Sequence, residues 1–416
     1  MSRRHVKPPI RTAVLGLHFG STSLRAGLTA HRDPEGRFYH VRNHRPDLIR
    51  PWIVGDFSTA CAPFEADYLG CIGNDAQARP RNVSAKYLMY LLTDFEDVVM
   101  AKHPLLPQEL CKRRGDEAFV VICRAILVQL LKNLKQKIDA VCKSECLEYT
   151  EMVVTVSWEK HFQVEYFSII IEEAFGWTGK MDRVHVVAEA DALANYVMTI
   201  QEEKLCGWDR ILFLDFGGHC MSFTLYKSEQ LDDQVCLIEL RCGGVIGGNE
   251  IWFHHIAELI SKKLQEMEID DPEEQLRRKL TTEFVSLQSR NEVKNDTTTF
   301  VYTPSLDDPG KILTVGLQPY EIDRCFNQAF EGPVILAKEQ LKYLATFDKS
   351  SSIGVVVAGG SMTEGSGAVV FPDCPVSEDK FIFNSSLEPE YLSTHKCRGA
   401  VIAVTSSKIK ISRTWE

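Results

Sequence analysis

Apolar and polar positions along this chain follow two periods in turn. In "VLGLHFGSTSLRAGL", Val14 to Leu28, apolar residues flank Gly20, Ser21, Thr22 and Ser23, the pattern of strand, tight turn and strand. After Asp116 the period becomes helical. "EAFVVICRAILVQLLKNLKQKIDAVC" predicts a long amphipathic helix, with Asp116 placed to cap it. "EMVVTVSW", rich in Val and Thr, predicts a buried strand. "HFQVEYFSIIIEEAF" predicts a helix that stops at Gly176, a residue type that tolerates the left-handed backbone of a helix end. "VHVVAE" predicts a short strand and "ADALANYVMTIQEE" a helix. Strands separated by helices of this length pair in parallel through crossovers.

The first hairpin has a second copy. "ILFLDFGGHCMSFTL", Ile211 to Leu225, aligns on it without gaps. Leu15 falls on Leu212, Leu17 on Leu214, Phe19 on Phe216, Gly20 on Gly217 and Leu28 on Leu225, while His18 falls on Asp215. The shared order of apolar, polar, Phe and Gly predicts two lobes, each opening with the same hairpin. Further on, Asp271-Pro272-Glu273-Glu274 is a helix start, with a cap, a proline at the first position and acids in the first turn. "VYTPSLDDPGK" carries turn signals and is read as a loop. "SIGVVVAGGSM" is read as a buried strand running into a glycine turn.

Composition narrows the classes. The chain has 416 residues, 44% hydrophobic and 25% charged, enough for more than one core. A net charge of −10 argues against nucleic acid or an anionic membrane as the main partner. The most apolar stretch, "FVVICRAILVQLL", contains Arg124 and Gln129 and does not read as a membrane span. The apolar run behind the basic N-terminus breaks at His18, too soon for a secretory signal, so the expected compartment is cytosol or nucleus. Thirteen cysteines without a C-x-x-C pair read as reduced thiols.

Four glycine-bearing turns then stand out: Gly20-Ser21-Thr22-Ser23, Gly217-Gly218-His219, Gly243-Gly244-x-x-Gly247-Gly248 and Gly359-Gly360-Ser361. Glycine lets backbone N–H groups approach an anion, and successive N–H groups form a nest for phosphate. Each alone is an ordinary tight turn; four in this order point to phosphate. His31-Arg32-Asp33 and Asp215-Phe216-Gly217 spell two kinase tripeptides, but they lie far apart and lack the strand lysine and A-P-E of kinases. No P-loop pattern occurs either.

The two hairpins, "VVTVSW…HVVAEADALANYV", "GGVIGGNEIW" and "GVVVAGGSM" together resemble the ATPase domain of the 70-kDa heat-shock chaperones, within the actin, sugar-kinase and heat-shock ATPase superfamily. The resemblance runs from residue 13 to about 405. It implies an α/β, two-lobed actin-like ATPase fold: duplicated ribonuclease-H-like lobes with a nucleotide cleft between them. Lobe I would span residues 1–205 with an inserted subdomain at about 36–115. Lobe II would span 206–385 with an insert at about 251–311, and 386–416 would return toward lobe I. No peptide-binding domain is expected.

The implied ligands are ATP or ADP with Mg²⁺. Gly20, Ser21, Thr22 and Ser23 would hold the β- and γ-phosphates, Gly217 and Gly218 the phosphates from the other lobe. Gly247 and Gly248 would lie near the α- and β-phosphates, and Gly359, Gly360 and Ser361 against the adenosine. Asp215 would bind the metal through water, against the alternative of a turn-capping aspartate. Glu189 would sit near the metal and the attacking water as the catalytic carboxylate, or equally be a helix N-terminal acid.

The departures from the family pattern are as informative. His18 stands where the family has aspartate, and Gln77, with Arg79 nearby, where it has the lysine that orients water. Gly217-Gly218-His219-Cys220-Met221-Ser222 alters the third glycine, a threonine and a second aspartate, and Thr363 replaces the adenine-stacking arginine. Phosphoryl transfer depends on such positioned charges, whereas binding leans on backbone N–H groups. The expectation is therefore an ATP-binding, chaperone-like protein with weak or lost hydrolysis, monomeric, acting as a nucleotide-dependent switch on an unidentified protein partner. The alternatives are a small-molecule phosphotransferase and a nucleotide-free scaffold. A zinc site from His18, His219, Cys220 and Asp215 is a further, weaker option.

Overall fold

The structure, a computed structural model, describes residues 11–20, 23–30, 53–77, 79, 82–92, 108–113, 115–156, 164–177, 183–201, 205, 207–231, 234–269, 275–289, 297–302, 313–347, 352–359, 376, 380–383, 395–405 and 409–413. It is a mixed α/β protein whose described strands form two large sheets and two two-stranded ones.

The first sheet comes from β1 (Arg11–Phe19), β2 (Ser23–Ala30), β3 (Ile53–Ser58), β6 (Leu147–Val156) and β7 (Val184–Ala188). Among the described residues between β3 and β6 lie the short strands β4 (Ala60–Cys61) and β5 (Val83–Ser84) and four helices. These are α1 (Asn74–Gln77), α2 (Ala85–Leu91), α3 (Gln108–Lys112) and the long α4 (Glu117–Glu145). Asp116 caps α4 as its sequence predicts, its side chain accepting from the N–H groups of Ala118 and Phe119. Helix α5 (Val164–Phe175) is followed by Gly176 at φ +69°. Helix α6 (Glu189–Ile200) follows β7 directly.

The second sheet contains β8 (Arg210–Phe216), β9 (Cys220–Leu231), β10 (Gln234–Ile246), β13 (Ile353–Ala358), β14 (Phe381–Phe383) and β15 (Ile409–Arg413). Helices α7 (Asn249–Glu266) and α8 (Gln275–Ser289), the hairpin β11 (Thr298–Tyr302) and β12 (Leu313–Leu317), and α9 (Pro319–Leu344) stand between β10 and β13. Helix α10 (His395–Thr405) precedes β15.

The sheets share a topology. The first has order β3-β2-β1-β6-β7, antiparallel from β3 to β1 and parallel from β1 to β7. In the second, β10-β9-β8-β13-β14 repeats those directions, and β15 adds a parallel edge beside β10. The hairpins also share a register. Leu15 faces Leu28 and Phe19 faces Leu24 in one; Leu212 faces Leu225 and Phe216 faces Met221 in the other. In each turn the glycine N–H donates to the carbonyl three residues on, Gly20 to Ser23 and Gly217 to Cys220.

Alternation sends each strand's side chains to two cores. Leu15 and Leu17 of β1 pack with Ile126 and Leu130 of α4. Val14 and Val153, on the opposite face, meet Ala192 of α6 and Ala400 and Val401 of α10. Leu193, Tyr196 and Val197 of α6 reach Ile211, Phe213 and Tyr226 of the second sheet. The far face of that sheet is closed by Ala337, Leu341 and Leu344 of α9. Helix α6 therefore lies between the sheets, with α10 packed beside it. Each large side chain buried at these seams contributes about 1.5–3 kcal/mol. Tyr226 Oη also donates to Asp191 Oδ1 at 2.6 Å, fixing α6 to the second sheet.

Two expectations need correction. Gly243 and Gly244 are not part of a turn. They lie inside β10, opposite Phe223 and Ser222 of β9, where the Phe223 ring covers Gly243. Val301 and Tyr302 are not loop residues but the end of β11. The helix start at 271–274 lies outside the described residues. Among the described residues no helix is long and apolar enough to cross a membrane.

Candidate functional site

Four chain segments end at one point between the sheets. Strand β1 brings His18, β8 brings Asp215, the first turn of α6 brings Glu189, and the first turn of α10 brings Lys396. The Lys396 ammonium donates to Glu189 Oε2 at 2.5 Å and to Asp215 Oδ2 at 2.6 Å. Lys86, on α2, stands 3.8 Å from Glu189 Oε1. His18 Nδ1 is 2.8 Å from the Thr155 hydroxyl on β6 and 3.8 Å from Glu189 Oε1.

The electrostatics follow from burial. Glu189 is 9% exposed and Asp215 5%. Burial is the largest single influence and favours the neutral acid of Glu189, but the surrounding positive groups, Lys396 foremost and Lys86 among them, together outweigh it and hold this carboxyl well below the usual range. Burial likewise works against the Lys396 charge, and Asp215 and Glu189 together raise it above its ordinary value. His18 moves the other way. Burial, which the attraction of Glu189 does not offset, keeps its imidazole neutral. The Glu189 and Asp215 carboxyl groups thus face the Lys396 and Lys86 side chains in a buried cluster, an arrangement in which removal of any one member leaves an uncompensated charge.

The predicted glycines fall into two groups. Gly217, Gly218, Gly247, Gly248 and Gly359 come together at the end of the second sheet beyond Asp215. Gly248, at φ +150°, is so close to this turn that a Cβ would come within 2.2 Å of the Gly217 carbonyl oxygen. Gly359, at φ +111°, lies as tightly against the Phe216 carbonyl, also 2.2 Å from the Cβ position. The Glu250 N–H donates to Gly218 O and the Gly247 N–H to His219 O, locking the start of α7 onto the β8–β9 turn. Gly20 and Ser23 lie at the matching end of the first sheet, in the turn that follows His18. Ser21, Thr22, Gly360, Ser361 and Thr363 lie outside the described residues, as does the side chain of Gln77; Arg79 is exposed.

His219 fills the space beside this turn. Its ring stacks on Tyr87 of α2, and Tyr87 Oη lies 2.8 Å from Nε2, which also contacts the Glu250 carboxylate. Because an ionised carboxylate only accepts, Nε2 carries the proton in this contact.

Mg²⁺ does not fit these donors. It requires near-octahedral oxygen ligation, but the two carboxylates already share an ammonium and the third neighbour is an imidazole. Among the described residues no group of three or more His, Cys, Asp or Glu side chains is placed to hold a metal ion. Glu189 is a first-turn acid of α6, as one of its two sequence readings has it, and also a member of the buried cluster.

Sequence reasoning reached His18, Glu189, Asp215 and His219, but missed Lys396, Lys86, Thr155 and Tyr87. The signal for Lys396 was a cation at the start of a largely apolar helical run, "KCRGAVIAV", which carries Arg398 as well. No protein-family model and no curated protein matches the chain.

Proposed function

We propose that the protein is a nucleotide-binding switch of the two-lobed, actin-like ATPase type, similar to the ATPase domain of the 70-kDa heat-shock chaperones, with hydrolysis weak or lost. The observation that carries the loss is the Lys396 ammonium between Glu189 and Asp215. Those are the two carboxylates that the reading assigns to the metal and the attacking water. An ammonium there masks both, and the neutral His18 supplies no third carboxylate. Removing one positioned group of this kind costs on the order of 10²–10³ in rate by analogy with oxyanion donors.

Support for nucleotide binding comes from the paired sheets and from the glycine turns at their ends, the second of which follows Asp215, the partner of Lys396. Lobe closure on ATP or ADP would change the surface offered to a protein partner. Calorimetry with ATP tests this: binding is expected, with phosphate release no faster than in buffer. An absence of binding at high micromolar protein would sink it.

A nucleotide-free scaffold is the second reading. It is favoured by the stacking of Tyr87 on His219 and by glycines already packed against their own backbone. Melting with and without ATP separates the two, since a bound ligand raises stability by mass action.

A further inference from the structure

We infer that Lys396 is the resident cation of this site: its ammonium takes the place of a divalent ion between Glu189 and Asp215, so the cluster functions without metal. Two observations carry this. The ammonium contacts both carboxylates at once, at 2.5 and 2.6 Å. The carboxylates also come from different elements, α6 and β8, and the lysine from a third, α10. One ammonium thereby joins the first-sheet side to the second, as a bridging metal would.

Lysine is suited to this work. Its charge is a compact point on a flexible stem, and three N–H bonds let it serve more than one carboxylate. Unlike a metal, it is tethered, so its occupancy does not depend on ion concentration. The reach comes from α10 packing on α6 and β1, which sets the stem beside both acids.

The inference bears on the metal of the proposed nucleotide site, and its test uses Mn²⁺ alone, so the two stand or fall separately. Mn²⁺ binding is followed by electron spin resonance and by thermal melting. The wild-type chain is expected to bind no Mn²⁺ in the cluster and to melt at the same temperature with or without the ion. Lys396→Ala frees both carboxylates; it should melt lower, gain Mn²⁺ binding that wild type lacks, and recover its melting temperature as Mn²⁺ is added. Lys396→Ala with Asp215→Asn should lose that gain. Wild-type Mn²⁺ binding that Asp215→Asn abolishes overturns the inference, and this arm holds even if Lys396→Ala does not fold. A folded Lys396→Ala with no gain in Mn²⁺ binding overturns it too. If ATP binds wild type, EDTA should leave the affinity unchanged; if ATP does not bind, only the nucleotide reading fails.

Discussion

Tyr87 lies face to face on His219, with ring centroids 4.9 Å apart and planes within 6° of parallel. The pair joins α2, on the first-sheet side, to the β8–β9 turn of the second sheet. Both residues are buried, and the hydroxyl adds a polar contact to the stack. Tyr87→Ala should cost about 3–5 kcal/mol, the usual range for a deleted buried ring. Tyr87→Phe keeps the stack and should cost only about 1 kcal/mol for the hydrogen bond. Urea unfolding of the two variants separates these contributions; equal losses would mean that the ring packing contributes little.

Lys396→Met leaves Glu189 and Asp215 buried, with Lys86 remaining beside Glu189 among the described residues, and should destabilise by about 3–5 kcal/mol at pH 7. The pH dependence has a definite sign. In wild type the folded Glu189 carboxyl lies below its ordinary 4.5, so its contribution is present above that pH and is lost on acidification. In the variant the unpaired carboxylates prefer to be neutral, so acid relieves their cost. The gap between wild type and variant should narrow as pH falls from 7 to 4. A gap independent of pH would contradict an electrostatic role.

His18 is buried and neutral, surrounded by Thr155 of β6, Arg25 of β2, Glu189 of α6, Lys86 of α2 and Lys396 of α10. Its folded value is below the ordinary 6.5, so the unfolded chain takes up a proton first as pH drops. Wild-type stability should therefore decline as pH falls below about 6.5, and His18→Gln should remove that part of the decline. Chemical denaturation at pH 7.5, 6.5 and 5.5 is the check. His18→Asp adds a third carboxylate beside Glu189 and should destabilise by more than His18→Gln does at pH 7.5.

Gly359→Ala combines a backbone at φ +111° with a Cβ 2.2 Å from the Phe216 carbonyl oxygen. The turn cannot yield without moving the end of β8, which carries Asp215. Little folded protein should be recovered. Gly115→Ala, at φ +80° but in open space, is the matched control and should cost only about 1–2 kcal/mol from the left-handed backbone. Circular dichroism and soluble yield compare them; similar behaviour would show that Gly359 is needed only for its φ.

The hairpin pair was legible because it is local. Leu15 with Leu28, and Leu212 with Leu225, take matching places in the two hairpins, as the gapless alignment of one on the other implies. Asp116 and Gly176 act where their chemistry requires. Gly243 and Gly244 misled for a physical reason: a glycine can serve a turn or make room for a ring, and here Phe223 lies over Gly243 in a paired strand.

The sequence by itself determined the alternating α/β order, the duplicated hairpin, the helix cap at Asp116 and the altered residues His18 and His219, all of which rest on local spacing and side-chain chemistry. Only the tertiary structure decided what those altered residues meet. Glu189, Asp215 and Lys396 come from distant parts of the chain, and no periodicity links them. Their encounter depends on how α6 and α10 pack between the sheets, and burial there makes one ammonium worth far more to two carboxylates than it would be in water.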